Sequence, residues 1–295
     1  MSTTHRRGLR CCGVLVVAAG LALGGCSALE PVAQAPAPPV AVVESSTVVL
    51  PPRGQTPAHS PLPPGTALDF SRSLPQEGQN SDYQLCTAAW SFTLADGRSI
   101  AVTASHCGEV GDKVWAGAAD NDFIYPAEPI GEVIYSDLSA PDSHHLDVAF
   151  VELYGNAHSA DVVTQQWLET NVATAEGAEG AAALPESVCK LGRMTGQTCG
   201  QLVDNAALST LNTGVDSVGT RAARAAVCGT NGDSGGPVFG APGTPEEGLI
   251  VGVVSGTTAA LEEGSSCADN PEMEMAFTPA ADIQALIPQV LGEQA

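Results

Sequence analysis

CTAAWSFTLADGRSIAVTASHC, residues 86–107, holds two β-prone runs, Cys86 to Leu94 and Ser99 to Thr103, on either side of Ala95-Asp96-Gly97-Arg98. An Asp-Gly pair between apolar runs is a strong hairpin signal, because Gly adopts the positive φ that a tight turn between twisted strands requires. Outward from this hairpin, short runs recur between Gly, Asp, Asn and Pro: Lys113 to Trp115, Phe123 to Tyr125, Ile130 to Tyr135, Asp147 to Leu153, Ala222 to Val227, Pro237 to Phe239, Leu249 to Val254 and Met275 to Phe277. A parallel sheet would need a helix between successive strands, and no helical period separates these. The expected class is all-β, a sandwich or barrels. Only the tail reads as a helix: Ile283, Leu286, Ile287, Val290 and Leu291 form one apolar face, which Pro288 is expected to kink or stop.

Composition narrows the function. The 295 residues carry 33 acidic against 11 basic side chains, a formal charge of −22. So acidic a chain repels phosphate backbones and anionic headgroups, which argues against nucleic acid and against electrostatic binding to a membrane surface. The 44% hydrophobic content supports a packed core, and nine cysteines are too few to replace one.

The first 80 residues read differently from the rest. His5, Arg6, Arg7 and Arg10 precede an apolar stretch over 11–25, ended by Cys26. About 15 apolar residues are short of the roughly 20 that span a bilayer, so residues 1–25 are expected to be a signal peptide. Leu23-Gly24-Gly25-Cys26 resembles the lipobox of bacterial lipoproteins, in which the cysteine is acylated and becomes the mature N-terminus. That resemblance implies an extracytoplasmic protein held to the bacterial membrane only through a lipid on Cys26; an ordinary secretory signal is the alternative. Residues 26–80 are expected to be a disordered Pro/Ala-rich linker, with Ala35-Pro36-Ala37-Pro38-Pro39 and Pro61-Leu62-Pro63-Pro64 favouring extended chain. It would serve as a tether or as a propeptide that is cut away. The folded domain is expected over 81–295.

Three motifs carry chemistry, in this order: Thr103-Ala104-Ser105-His106-Cys107, His145-Leu146-Asp147-Val148-Ala149-Phe150 and Gly232-Asp233-Ser234-Gly235-Gly236-Pro237. A serine hydroxyl is a poor nucleophile at neutral pH, so it needs an imidazole to take its proton and a carboxylate to orient that imidazole. Glycines beside the serine let backbone N–H groups aim at the oxygen that becomes negative. His144, His145 and His158 match no zinc-ligand spacing, and no metal or cofactor is expected.

The three motifs resemble those of the chymotrypsin family of serine endopeptidases, over roughly residues 81–295. Cys189-Lys190-Leu191-Gly192-Arg193-Met194-Thr195-Gly196-Gln197-Thr198-Cys199-Gly200 is similar to the short disulfide loop of the secreted bacterial, streptogrisin-like branch, and Cys228 stands six residues before Ser234 as it does there. The resemblance implies two perpendicular six-stranded antiparallel β-barrels followed by a C-terminal helix. It assigns Ser234 as nucleophile, His106 as general base and acid, Asp147 as orienter, and the N–H groups of Gly232 and Ser234 as the oxyanion hole. It pairs Cys86 with Cys107, Cys189 with Cys199 and Cys228 with Cys267. It implies a protein or peptide substrate and a monomer.

Three features depart from the family. No activation-cleavage sequence precedes Cys86, so Asp233 needs an internal cation; the resemblance to the streptogrisin-like branch, where a basic residue of the short disulfide loop serves, implies Lys190 as first choice and Arg193 as second. Ser255-Gly256-Thr257 resembles the substrate-binding strand with Thr257 in place of a second glycine, and Met273 or Met275 is expected to crowd the base of the pocket. An Ala- and Glu-rich insert over about 157–186 is expected to be a partly helical surface excursion. The competing functions are an inactive lipoprotein that uses the same cleft to bind envelope proteins, and an esterase of the same fold.

Overall fold

The computed structural model describes residues 62–75, 82–117, 128–155, 157, 168–173, 184–212, 217–258, 261 and 266–292, the side chains of 206–218 excepted. The signal, Cys26, the candidate strand Phe123 to Tyr125 and most of the insert lie outside these. All belong to one unit, Thr47–Ala295.

Two antiparallel sheets follow each other along the chain. The first has the order β2-β1-β5-β6-β7-β4-β3, from β1 (Ala67–Ser71), β2 (Gln84–Thr87), β3 (Trp90–Thr93), β4 (Ser99–Thr103), β5 (Lys113–Ala116), β6 (Gly131–Ser136) and β7 (Ala149–Leu153). Strands β2 and β3 lie at opposite edges yet are joined by only Ala88 and Ala89, so the sheet must roll until its edges meet there. The expected six strands are thus seven, because the run Cys86 to Leu94 breaks at those alanines and serves both edges. Leu68, Phe70, Val114, Val133 and Val151 fill its interior.

The second sheet is a closed barrel of six, β10-β13-β12-β11-β8-β9, from β8 (Ser187–Gly192), β9 (Gly196–Asn212), β10 (Ser217–Ala225), β11 (Pro237–Gly240), β12 (Ile250–Thr257) and β13 (Met275–Pro279). Val188, Val238, Val254 and Phe277 line its core. A third apolar cluster takes Trp90, Val102 and Phe150 from the first sheet, Leu191, Phe239 and Val253 from the second, and Ile283, Leu286 and Ile287 from the helix α1 (Ala280–Leu291). The helix runs through Pro288 rather than stopping at it. Of the insert, Leu168 and Val172 pack on this cluster, and Val172 bridges Ile250 in parallel.

The boundary at residue 80 is a correction. Leu62 to Ser71 belong to the first sheet: β1 pairs with β2 through Leu68 and Cys86 and with β5 through Leu68 and Ala116. All five β1 residues are buried. Leu62 donates to Ser91 Oγ at 2.7 Å and accepts from it at 2.8 Å. Proline content marked this segment as linker, but no proline falls between Pro64 and Pro75, and the strand ALDFS lies in that gap.

Three disulfides join Cys86–Cys107, Cys189–Cys199 and Cys228–Cys267, the pairing that the family resemblance implied. No described helix is long and apolar enough to cross a membrane.

Candidate active site

His106 sits in a single 3-10 turn, Ser105–Cys107, directly after β4, and the Cys86–Cys107 disulfide ties that turn to β2. Asp147, fully buried, approaches from the loop before β7 and grips His106 twice. Its Oδ1 accepts the backbone N–H at 3.0 Å and its Oδ2 meets ring Nδ1 at 2.8 Å. A carboxylate can only accept, so Nδ1 carries the proton and Nε2 is left as the basic nitrogen. Burial of the ring opposes its charged form, but the Asp147 charge and hydrogen bond outweigh burial and raise the His106 pKa above its ordinary value.

The loop that delivers Asp147 is organised by a second buried carboxylate. Asp137 accepts from Tyr135 OH at 2.6 Å, Ser143 Oγ at 3.1 Å, His144 N–H at 3.1 Å, His144 Nδ1 at 3.1 Å and Leu146 N–H at 2.9 Å. Burial alone would raise its pKa; these donors hold it below the ordinary carboxylate value. No local signal in the sequence marks the role of Asp137. His144 is thereby engaged with Asp137, while His145, the one described non-glycine residue with positive φ (59°), gives its carbonyl to Arg221 N–H at 2.8 Å.

The loop around Ser234 turns at two glycines, Gly232 (φ 96°) and Gly235 (φ 82°). At Gly235 a Cβ would lie 2.1 Å from Thr103 Oγ1 and 2.3 Å from the Thr87 carbonyl, so only glycine fits. Thr87 N–H donates to the Ser234 carbonyl at 2.8 Å, and Cys107 Sγ lies 4.0 Å from that same oxygen, which seats Ser234 against the His106 turn. Among the described residues no hydrogen bond joins the Ser234 hydroxyl to the imidazole. The N–H groups of Asp233, Gly235 and Gly236 bond to Thr230, Val254 and Asp233 carbonyls; those of Gly232 and Ser234 have no acceptor among the described residues.

Asp233, beside the serine, is almost wholly buried and pairs with Lys190 at 3.0 Å. It also accepts Met194 N–H at 2.9 Å, Thr195 N–H at 3.1 Å and Thr230 N–H at 3.1 Å. The first-choice cation is the one found. Burial holds the Lys190 pKa down, against the Asp233 charge. Arg193, the second choice, pairs instead with Asp69 of β1, both side chains buried, and donates to Leu68 O at 3.0 Å. Burial raises the Asp69 pKa, against the Arg193 hydrogen bond and charge that pull it down.

Ser255, Gly256 and Thr257 end β12, where Thr257 pairs in register with Met275. Ser255 is buried with its Oγ 3.4 Å from Thr278 Oγ1, which in turn donates to the Asp147 carbonyl at 3.3 Å. A Cβ on Gly229 would stand 3.4 Å from the Thr257 methyl, and Gly229 N–H donates to Met273 Sδ at 3.5 Å. Thr257 and Met273 therefore converge on Gly229 from two sides. The one described group of three potential metal ligands is Cys86, His106 and Cys107, whose two sulfurs are bonded to each other.

The trypsin family model matches residues 75–282, beginning just after β1. No curated protein matches the chain. Among solved structures, protease A of Thermobifida fusca aligns with a TM-score of 0.49 at 21% identity, covering 77% of this chain and 94% of that one. The chymotrypsin of Cellulomonas bogoriensis aligns at 0.44 and 23% identity, covering 78% and 94%. The Nocardiopsis protease NAPase aligns at 0.44 and 20% identity, covering 76% and 94%. With more than half its length matched by the family model and with both sheets, the helix and the three disulfides in place, this chain belongs to the trypsin family of serine peptidases.

Proposed function

We propose that the protein is an exported endopeptidase in which Ser234 attacks, His106 transfers protons and Asp147 orients His106. The observation that carries this is the double grip of the buried Asp147 carboxylate on His106, which leaves Nε2 as the only basic ring nitrogen. His106 Nε2 takes the Ser234 hydroxyl proton as Oγ bonds to the scissile carbonyl carbon, and the carbonyl electrons move onto oxygen. Gly232 and Ser234 N–H, without other acceptors among the described residues, receive that oxyanion; each such donor is worth about 3–4 kcal/mol of transition-state stabilisation. His106 then passes the proton to the leaving nitrogen as the C–N bond breaks. Water enters, loses its proton to His106 and releases the acyl group from Ser234 as the acid. The serine–imidazole hydrogen bond this step needs has no counterpart among the described residues and would form when substrate fills the site.

Substrate enters along Ser255, Gly256 and Thr257. The Thr257 methyl and Met273 sulfur at Gly229 support a shallow pocket that takes small or medium apolar side chains before the scissile bond. Each methylene that does not fit forfeits about 1–3 kcal/mol of transition-state binding. Three disulfides support an oxidising compartment. Within it, acylated Cys26 would hold the protein to the membrane.

Stoichiometric fluorophosphonate labelling of the wild type and none of Ser234→Ala tests the nucleophile, and hydrolysis of peptides rather than simple esters tests the substrate class. In a peptide library, cleavage after Ala, Val or Leu should exceed cleavage after Phe, with Thr257→Gly shifting the ratio towards Phe; preference for Phe or Arg in the wild type refutes the shallow pocket. Loss of membrane association in Cys26→Ala tests the anchor.

A further inference from the structure

Thr87, fully buried in β2, uses every polar atom it has to hold other segments. Its N–H donates to the Ser234 carbonyl at 2.8 Å. Its hydroxyl donates to the Gly232 carbonyl at 2.8 Å and accepts Arg193 N–H at 3.2 Å. Its own carbonyl accepts Thr103 Oγ1 at 2.9 Å. The two carbonyls it holds belong to the residues whose N–H groups have no acceptor among the described residues.

That coincidence has a physical consequence. Gly232, at φ 96°, has no side chain to restrict its rotation, so nothing in its own chemistry fixes where its N–H points. Anchoring the carbonyls of Gly232 and Ser234 limits rotation about both Cα atoms, and so limits the swing of the peptide units that carry their N–H groups. The anchor's far end is equally fixed. Arg193, which donates its N–H to Thr87, is clamped by the buried Asp69, and Met194 and Thr195 next to it donate to Asp233.

We propose that the Thr87 hydroxyl is a positioning group for the oxyanion-binding N–H groups, acting through the Gly232 carbonyl and never touching substrate. This rests on the assignment of Gly232 and Ser234 above. Strand β1, through Asp69, then serves as the buttress of that device.

Thr87→Val keeps the shape and removes the hydroxyl, whereas Thr87→Ser keeps the hydroxyl and removes a methyl. Loss of an oxyanion donor outright costs about 10²–10³ in kcat, so a donor left in place but unanchored should cost about ten- to hundredfold in Thr87→Val, with KM within about twofold. Affinity for a peptide boronic acid, which places an oxygen in the same hole, should fall in parallel with kcat. Thr87→Ser should recover kcat to within about threefold of wild type. Wild-type kcat in Thr87→Val, a loss confined to KM, an unchanged boronate affinity, or a Ser variant as poor as Val would each overturn the proposal. If Thr87→Val does not fold, Thr87→Ala takes its place: the same kcat loss supports the role and full kcat overturns it. Fluorophosphonate labelling of the wild type keeps the two readings apart. No label on Ser234 sinks the nucleophile assignment, while a labelled enzyme indifferent to Thr87→Val sinks only the positioning role.

Discussion

Asp137 and Asp147 stand ten residues apart, both fully buried and each beside a histidine, yet they are built for different work. Among the described residues the Asp147 carboxylate receives two hydrogen bonds, both from His106. The Asp137 carboxylate has five donors, a phenol, a hydroxyl, two backbone N–H groups and the His144 ring. Burial and a neighbouring imidazole are common to both, so neither distinguishes an orienting acid from a scaffold. The donors do. A carboxylate satisfied by many fixed donors holds a loop in shape, and its charge is already balanced whatever its histidine does. A carboxylate whose donors all belong to one residue leaves that residue to respond, and the raised pKa of His106 is the response.

The two carboxylates should differ most in turnover when each becomes an amide. Asp147→Asn should lower kcat about 10⁴-fold, because the amide favours the wrong imidazole tautomer. Asp137→Asn, measured on folded enzyme, should stay within about tenfold of wild type. Equal kcat losses in the two variants would show that loop order and imidazole orientation are one function, and the distinction would fall.

Stability should reverse the ranking. Asp137→Asn turns one acceptor oxygen into a donor facing donors, and should cost about 2–4 kcal/mol in denaturant unfolding at pH 7. Asp147→Asn should cost less, since only His106 loses its partner.

Acid titration sharpens the contrast further. The Asp137 pKa is depressed in the folded protein, so its stabilisation is fully present above the unfolded value of about 4 and is lost as pH falls through the lower folded value. Unfolding measured from pH 7 down to pH 2 should therefore show a slope that Asp137→Asn flattens; an unchanged slope would exclude Asp137 as its source. His106 carries the opposite sign. With its pKa raised, the neutral imidazole that the proposed attack needs is lost as pH falls through a value above about 6.5, so kcat/KM should drop on that acidic limb. The smallest expected effect is none: Asp137→Asn should leave the midpoint of that limb where the wild type has it, and a moved midpoint would tie the two carboxylates together.

Much of the site was legible because its motifs are local. Ser234 and its glycines are contiguous, His106 adjoins Cys107, and the family resemblance pointed to Lys190 of the short disulfide loop as the partner of Asp233. The hairpin around Asp96-Gly97 reads directly, and β3 and β4 pair across it from Trp90 to Val102. Other parts misled. Proline composition assigned Leu62 to Ser71 to a tether, although β1 lies between β2 and β5 in the first sheet. The long pair β9 and β10 was foreseen only as a disulfide loop and one short strand, because its residues show no clean alternation.

By itself the amino-acid order determined the all-β class, the hairpin that carries His106, the three chemical motifs and the helical tail, since each depends on neighbours within a turn or two. The family resemblance added the disulfide pairing. Only the tertiary structure decided that Asp69 faces Arg193, that Asp137 gathers the loop before Asp147 and that Thr87 holds Gly232. Those contacts join residues far apart in sequence, 124 positions for the first and 145 for the last. A buried polar group must find its partner wherever the packed sheets bring one within reach, and no periodicity or composition along the chain records which residue that will be.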